Sequence, residues 1–297
     1  PTFSPERQRV AVPSSRKPRM ELSVAGRRCH IATGGRSFNP GAALWPPLVL
    51  IHGAANDCDA WLTVAGGLTA AGCAVLAPDL PGHGLSSGPP LRSIEALAEW
   101  LPALLDAADV AQAILVGHSM GSLVALECAA RHPERVGRLA LLGPAAPMPV
   151  ADSLLSRSES DPDHVYRLMT EYSLTAPFQL AGGGGHGIWG PGVTLAIMRR
   201  SPPGVLAIDL AACNGYQNGL AAAARVACPT LLLVARRDRM TPRRNLSPLQ
   251  SALPQVQRLE IAACGHAMMN EQAQAVVRNL LTFLAATATT AITPARS

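Results

Sequence analysis

The stretch VGHSMGS, residues 116–122, sets Ser119 between Gly117 and Gly121 directly after the apolar run AILV at 113–116. Four apolar residues running into a glycine read as a buried strand of a parallel sheet. MGSLVALECAARH, 120–132, spaces its apolar residues as a helix does. Ser119 therefore occupies a strand-to-helix turn. So abrupt a turn forces its central residue into an unfavourable backbone conformation, and bulk two positions to either side would collide with the neighbouring chain. Glycines at 117 and 121 remove that bulk. The helix that starts beside the serine aims its free N–H groups and positive dipole end at any anion forming there. The pattern is a Gly-x-Ser-x-Gly nucleophile elbow; a serine that merely caps the helix is the bland reading of the same residues.

The rest of the chain bounds the alternatives. Its 297 residues suffice for one large domain, or for a core carrying a smaller inserted one. Hydrophobic residues make up 48%, but in runs of four to six, far short of the roughly 20 a membrane span needs, so none is expected. Of the net charge of +5, residues 1–19 supply +4, with Arg7, Arg9, Arg16, Lys17 and Arg19 against Glu6. A solvated basic tail accounts for the charge without a nucleic-acid partner. This Pro-, Ser- and Arg-rich tail lacks the apolar core of a secretory signal and reads as disordered, with Met20 as a plausible start. The seven Cys are scattered without a Cys-x-x-Cys pair, as reduced thiols of a cytoplasmic protein would be, and no His or Cys spacing suggests a metal.

Along the chain, 21–24 and 28–33 read as a hairpin, 47–53 and 73–79 as strands, and 61–71 and 93–107 as helices. After the central stretch comes a strand over 138–144. Strands and helices alternating in this way imply a parallel sheet with helices on both faces, an α/β fold. From 145 to about 226 the chain reads as an irregular insertion with short helical stretches. The alternation returns with strands at 228–236 and 256–264 and helices near 245–253 and 271–285; the last dozen residues look disordered.

A serine hydroxyl needs a base to take its proton, and the base needs a third group to fix its tautomer. Candidates should follow the carboxyl ends of other strands, where ligands bind in such sheets. Asp238 follows TLLLVAR, and His266 follows RLEIAA in a loop that Gly265 leaves free to turn. Asp152, Asp161, Asp163 and Asp209 lie in the insertion and are inferior acids. Oxyanion donors are expected at the backbone N–H groups of Met120 and Ala54. His52 is expected to shape its loop, His118 to pack, and His83 to belong to a glycine-rich turn.

Taken in order, HGAA from His52, APDLPGHGLS from Ala77, VGHSMGS from Val116, HPERVGRLALLGP from His132, LLLVARRDRMTP from Leu231 and CGH at 264–266 closely resemble the α/β-hydrolase fold family. The resemblance implies a mostly parallel eight-stranded sheet, residues 20–144 and 227–285, with a cap inserted at 145–226 between the sixth and seventh strands. It implies no cofactor, and it implies attack on a small-molecule acyl substrate. A serine esterase acting on a carboxylic ester, thioester or lactone through Ser119, His266 and Asp238 is the leading expectation. Haloalkane dehalogenases and epoxide hydrolases are similar but use Asp where this chain has Ser119. C–C hydrolases of ring-fission products are also similar, although HGAANDCDAW lacks the Ser-Gly-Pro-Gly run associated with them; a slow-turnover receptor on the same fold is the alternative of another class. Trp189, Tyr166, Phe178 and Met198 are candidates for the substrate pocket, each equally readable as packing. Gly182–Gly185 reads as a lid hinge or a plain loop.

Overall fold

A computed structural model describes residues 19–181 and 189–286; residues 1–18, the Gly182–Gly185 string and the last eleven residues lie outside the described part. The strands are β1 (Arg19–Val24), β2 (Arg27–Ala32), β3 (Leu48–Ile51), β4 (Val75–Pro78), β5 (Ala113–His118), β6 (Val136–Leu142), β7 (Thr230–Ala235) and β8 (Val256–Ile261). They form one sheet in the order β1-β2-β4-β3-β5-β6-β7-β8. β1, β2 and β4 pair antiparallel, and β3 through β8 are parallel to their neighbours. Arg19 opens β1, so this strand begins inside the segment that reads from the sequence as a tail.

Helices α1 (Leu62–Ala70), α2 (Ile94–Ala107) and α3 (Met120–Arg131) connect the first parallel strands. Between β6 and β7 run α4 (Asp152–Ser160), α5 (Pro162–Ser173), α6 (Ala176–Ala181), α7 (Gly190–Arg199), α8 (Val205–Gly215) and α9 (Gly219–Arg225). The remainder are α10 (Ser247–Ala252), α11 (Met268–Glu271) and α12 (Ala273–Ala286). The segment between β6 and β7 is thus mostly helical rather than irregular. Its helices are short and interrupted by Pro and Gly, which blurs their periodicity in sequence.

The central strands read as unbroken apolar runs because both faces are covered. Leu48, Leu50, Ile114 and Val116 pack with α1 and α12, while Val49, Ile51 and Leu115 pack with α2 and α3. Each such side chain, fully buried, contributes about 1.5–3 kcal/mol. From β3 the chain winds to β4 on one side and then returns to β5 on the other. The loops leaving the carboxyl ends of β3 and β5 therefore diverge and open a crevice between them. Among the described residues no helix is long and apolar enough to cross a membrane.

Candidate active site

Ser119 sits at the tip of β5 with φ 54° and ψ −121°, a conformation that costs a non-glycine residue about 1–3 kcal/mol. Its hydroxyl does not cap α3, which removes the bland explanation for a serine at that place. A Cβ on Gly117 would strike the Gly121 carbonyl, and one on Gly121 would strike the Ile51 carbonyl and lie 2.6 Å from that of His52. The flanking glycines thus let the turn press against both α3 and β3.

At the end of β7, Asp238 accepts from the N–H groups of Met240 (2.9 Å) and Thr241 (2.8 Å) through Oδ1. His266 Nδ1 donates to Asp238 Oδ2 at 2.8 Å. Thr241 Oγ1 lies 2.9 Å from the same Oδ2, 3.0 Å from the Gly143 carbonyl oxygen and 3.2 Å from His266 Nδ1. Burial alone would raise the Asp238 carboxyl. The adjacent His266 ring and the Thr241 hydrogen bonds outweigh that and hold it below the ordinary carboxylate range.

The loop carrying His266 is held from three directions. His118 Nε2 donates to the His266 carbonyl at 2.9 Å, Ala267 N donates to Ser173 O at 2.9 Å, and Gly265 N donates to Glu271 Oε1 at 3.1 Å. Glu271 also accepts from the Thr175 amide and hydroxyl, so the turn between α5 and α6 braces this loop. Gly265 does not supply turning freedom: its φ lies outside the left-handed region. It is needed for closeness, since a Cβ there would lie 2.6 Å from Ser173 O.

Ser119, His266, His118, Gly53 and Ala54 border one narrow cavity of about 50 Å³. The Ser119 hydroxyl makes no hydrogen bond among the described residues, to His266 included. Such contacts commonly tighten only when substrate arrives. Ala54 follows β3, and its amide donates to no oxygen of the described residues. Met120 is the first residue of α3, ahead of the helical ladder. His52 is locked out of proton transfer: Nδ1 donates to Gly53 O at 2.9 Å and Nε2 accepts from Leu80 N at 3.1 Å, while burial pushes its pKa down to about 4. Burial and repulsion from His266 push His118 to about 3.

A second cavity, of about 400 Å³, opens on the other side of Ser119, with Met148, Leu154, Met169, Leu210 and Arg239 in its wall. The sequence misplaces this wall. Trp189 is 63% exposed, Phe178 leans on Gly190, and Tyr166 is buried, and none of the three borders either cavity. Met198 borders the narrow one. Bulky aromatics are good guesses for a pocket, but here unbranched and branched aliphatic side chains of α4, α5 and α8 fill that place.

Asp209 is no spare acid. From α8 it reaches two loops, its Oδ2 accepting from the Ala55 amide after β3 at 2.7 Å and from His83 Nε2 after β4 at 2.9 Å. Ala55 is held at φ 53°, one residue beyond the Ala54 amide. Of the other acids in the segment, Asp161 caps α5, and Asp163 pairs with Arg167 and Arg199. His118, Thr241, Glu271 and Asp209 carry no local signal for these roles; each acts on residues remote in the chain or through backbone groups.

Residues 46–181 match the model of the alpha/beta hydrolase fold family. The chain is 34% identical over 139 residues to 2-hydroxymuconate semialdehyde hydrolase of a Pseudomonas species, covering 45% of this chain and 46% of that protein. It is 43% identical over 98 residues to pimeloyl-[acyl-carrier protein] methyl ester esterase of Aromatoleum aromaticum, covering 33% and 37%. The chain thus spans less than half the length of these curated relatives. The solved enol-lactonase from Burkholderia xenovorans superposes with a TM-score of 0.75 at 24% identity, over 90% of this chain and 100% of that one. With the matched segment running from β3 through the serine turn, and the mostly parallel eight-stranded sheet around it, the chain has the α/β-hydrolase fold.

Proposed function

We propose that the chain is a serine hydrolase that cleaves a small carboxylic ester, thioester or lactone. The observation that carries this reading is Ser119 itself: a non-glycine residue at φ 54°, uncapped, sharing a cavity with a histidine whose Nδ1 is held by a carboxylate. In the mechanism, His266 takes the Ser119 proton as the hydroxyl adds to the acyl carbonyl. Asp238 fixes the His266 tautomer and stabilises the imidazolium. The N–H groups of Ala54 and Met120 receive the oxyanion, and the positive end of α3 adds to their field. Collapse expels the leaving group with a proton from His266. Water then hydrolyses the acyl-enzyme through the same histidine. The helical segment between β6 and β7 acts as a cap over the site, since its α4, α5 and α8, together with the stretch from Met148 to Ala151, supply most of the large cavity's wall.

A second reading, hydrolysis of a C–C bond in a ring-fission product, is favoured by the similarity to 2-hydroxymuconate semialdehyde hydrolase. Fluorophosphonate labelling of the protein and its Ser119→Ala variant, followed by assays on p-nitrophenyl esters of increasing chain length, tests the first reading. Labelling should be confined to the parent protein, with turnover in the variant lower by about four or more orders of magnitude. Labelling without ester turnover, together with cleavage of a ring-fission product, selects the second reading; no labelling removes both.

A further inference from the structure

If Ser119 is the nucleophile, as proposed above, the wall of the larger cavity constrains what the substrate carries besides its acyl bond. That wall is mostly apolar, and Arg239 is the only charged residue in it among the described residues. The Arg239 guanidinium carbon lies 4.2 Å from the ring centroid of Tyr172, which borders the same cavity from α5. A guanidinium stacked in this way uses its face on the ring and keeps its fork of N–H donors for a planar anion. No ion pair among the described residues occupies that fork. The neighbouring Asp238 is already committed to His266 and to the amides of Met240 and Thr241.

The loop around it adds a second, independent observation. Between β7 and α10 stand Arg236, Arg237, Arg239, Arg243 and Arg244, with Asp238 as the sole acid. From outside, Glu260 on β8 is shared by Arg236 and Arg243 along with Arg258, and Glu271 faces Arg237. The loop that brings Arg239 to the cavity therefore keeps a net positive charge, which raises the local concentration of anions.

We infer that the cavity takes an acyl compound whose apolar body ends in a carboxylate remote from the scissile bond, and that Arg239, braced by Tyr172, receives that carboxylate. A half-ester of a dicarboxylic acid is the simplest member of the class. The apolar wall contacts the methylene chain, and bidentate hydrogen bonds at Arg239 fix its far end.

The test compares mono-p-nitrophenyl esters of adipic and suberic acid with the same esters methyl-capped at the free acid. The ratio of the two kcat/KM values is read at low and high salt. The parent protein should prefer the free acid by about tenfold or more at one chain length, less at high salt. Arg239→Met should bring the ratio close to unity, and Arg239→Lys, which keeps the charge and loses the fork, should retain part of it. Should Arg239→Met fail to fold, Tyr172→Leu, which removes the platform, should lower the same ratio. Turnover of both esters without preference, or a preference that survives Arg239→Met, overturns the inference and leaves the hydrolase reading standing. Absence of turnover together with absence of fluorophosphonate labelling at Ser119 overturns both.

Discussion

His266–Asp238 and His83–Asp209 are the same two side chains at nearly the same separation, 2.8 and 2.9 Å, and both are buried. They differ in what their other atoms face. His266 has one nitrogen committed to Asp238 and borders the cavity it shares with Ser119. His83 has both nitrogens opposite acceptors, Nε2 to Asp209 and Nδ1 to the Pro81 carbonyl at 3.1 Å, an arrangement that favours the protonated ring. Burial pulls its pKa down, but the Asp209 charge beside it wins, and the net direction is upward. A ring with both N–H groups spent can neither take a proton nor deliver one. The pair is instead a clasp that ties α8 to the loop after β4, with Asp209 also holding the Ala55 amide in the loop after β3. Competence for proton transfer thus lies in the unspent nitrogen rather than in the pair.

The sharpest way to break this comparison is to remove one carboxylate at a time. Asp238→Asn should cut turnover by about four orders of magnitude, because the His266 tautomer is no longer fixed. It should lower stability less than Asp209→Ala does, since Asn still offers an oxygen to the Met240 and Thr241 amides. Asp209→Ala should do the opposite. It leaves the buried His83 ring and the Ala55 N–H without their acceptor, and breaking a buried pair costs about 3–5 kcal/mol. The urea midpoint should fall accordingly, while turnover falls mainly through kcat as the loop holding Ala54 loosens. A fully stable Asp209→Ala protein, or an unfolded Asp238→Asn one, would erase the distinction.

A smaller effect separates the pairs on the pH axis. His83 has its pKa raised by folding, so its stabilisation is complete below the unfolded value of about 6.5 and is lost as pH rises through the folded pKa. Asp238 has its pKa lowered, so its stabilisation is present above about 3.9 and is lost as pH falls through the folded value. The clasp therefore weakens toward alkaline pH and the proposed catalytic pair toward acid. His52 and His118, buried as neutral rings, add to the acid loss as pH drops below about 6.5. Melting temperatures followed across pH should show an alkaline decline in the parent protein that Asp209→Asn flattens, with the acid limb kept. An unchanged alkaline limb would mean that His83 is not held as a cation.

The two regions were unequally legible in the sequence for a physical reason. Strands β3 to β7 are buried on both faces, so their apolar runs stand out, and Ser119 and Asp238 each sit just beyond such a run, whereas His266 follows the edge strand β8, most of whose residues are not buried. The clasp has no such marker. Asp209 lies inside VLAIDLAACNG, a helix apolar nearly all round, where a lone acid gives no hint that its partners are 126 and 154 residues away. His83 reads as part of a turn, which it is, and its charge partner comes from another layer of the fold. The cavity wall failed for a related reason: side chains of α4, α5 and α8 converge there only through packing. Trp189 and Phe178, more conspicuous in sequence, ended at the surface and against Gly190.

The subtlest expected effect concerns the one hydroxyl that distinguishes the surroundings of the two carboxylates. Thr241 Oγ1 lies within hydrogen-bonding distance of Asp238 Oδ2, His266 Nδ1 and Gly143 O, whereas Asp209 Oδ1 has no partner among the described residues. Thr241→Val keeps the shape and removes the hydroxyl, making the surroundings of Asp238 more like those of Asp209. Asp238 retains the His266 N–H and both backbone amides, so the loss should be that of one hydrogen bond, about 1 kcal/mol, or a fall of about fivefold in kcat with KM unchanged. Thr241→Ser, which restores the donor, should recover most of it; a merely structural role for the Thr241 methyl would reverse that order. If Thr241→Val instead matched the collapse expected of Asp238→Asn, orientation of the His266 ring would belong to the hydroxyl and not to the carboxylate.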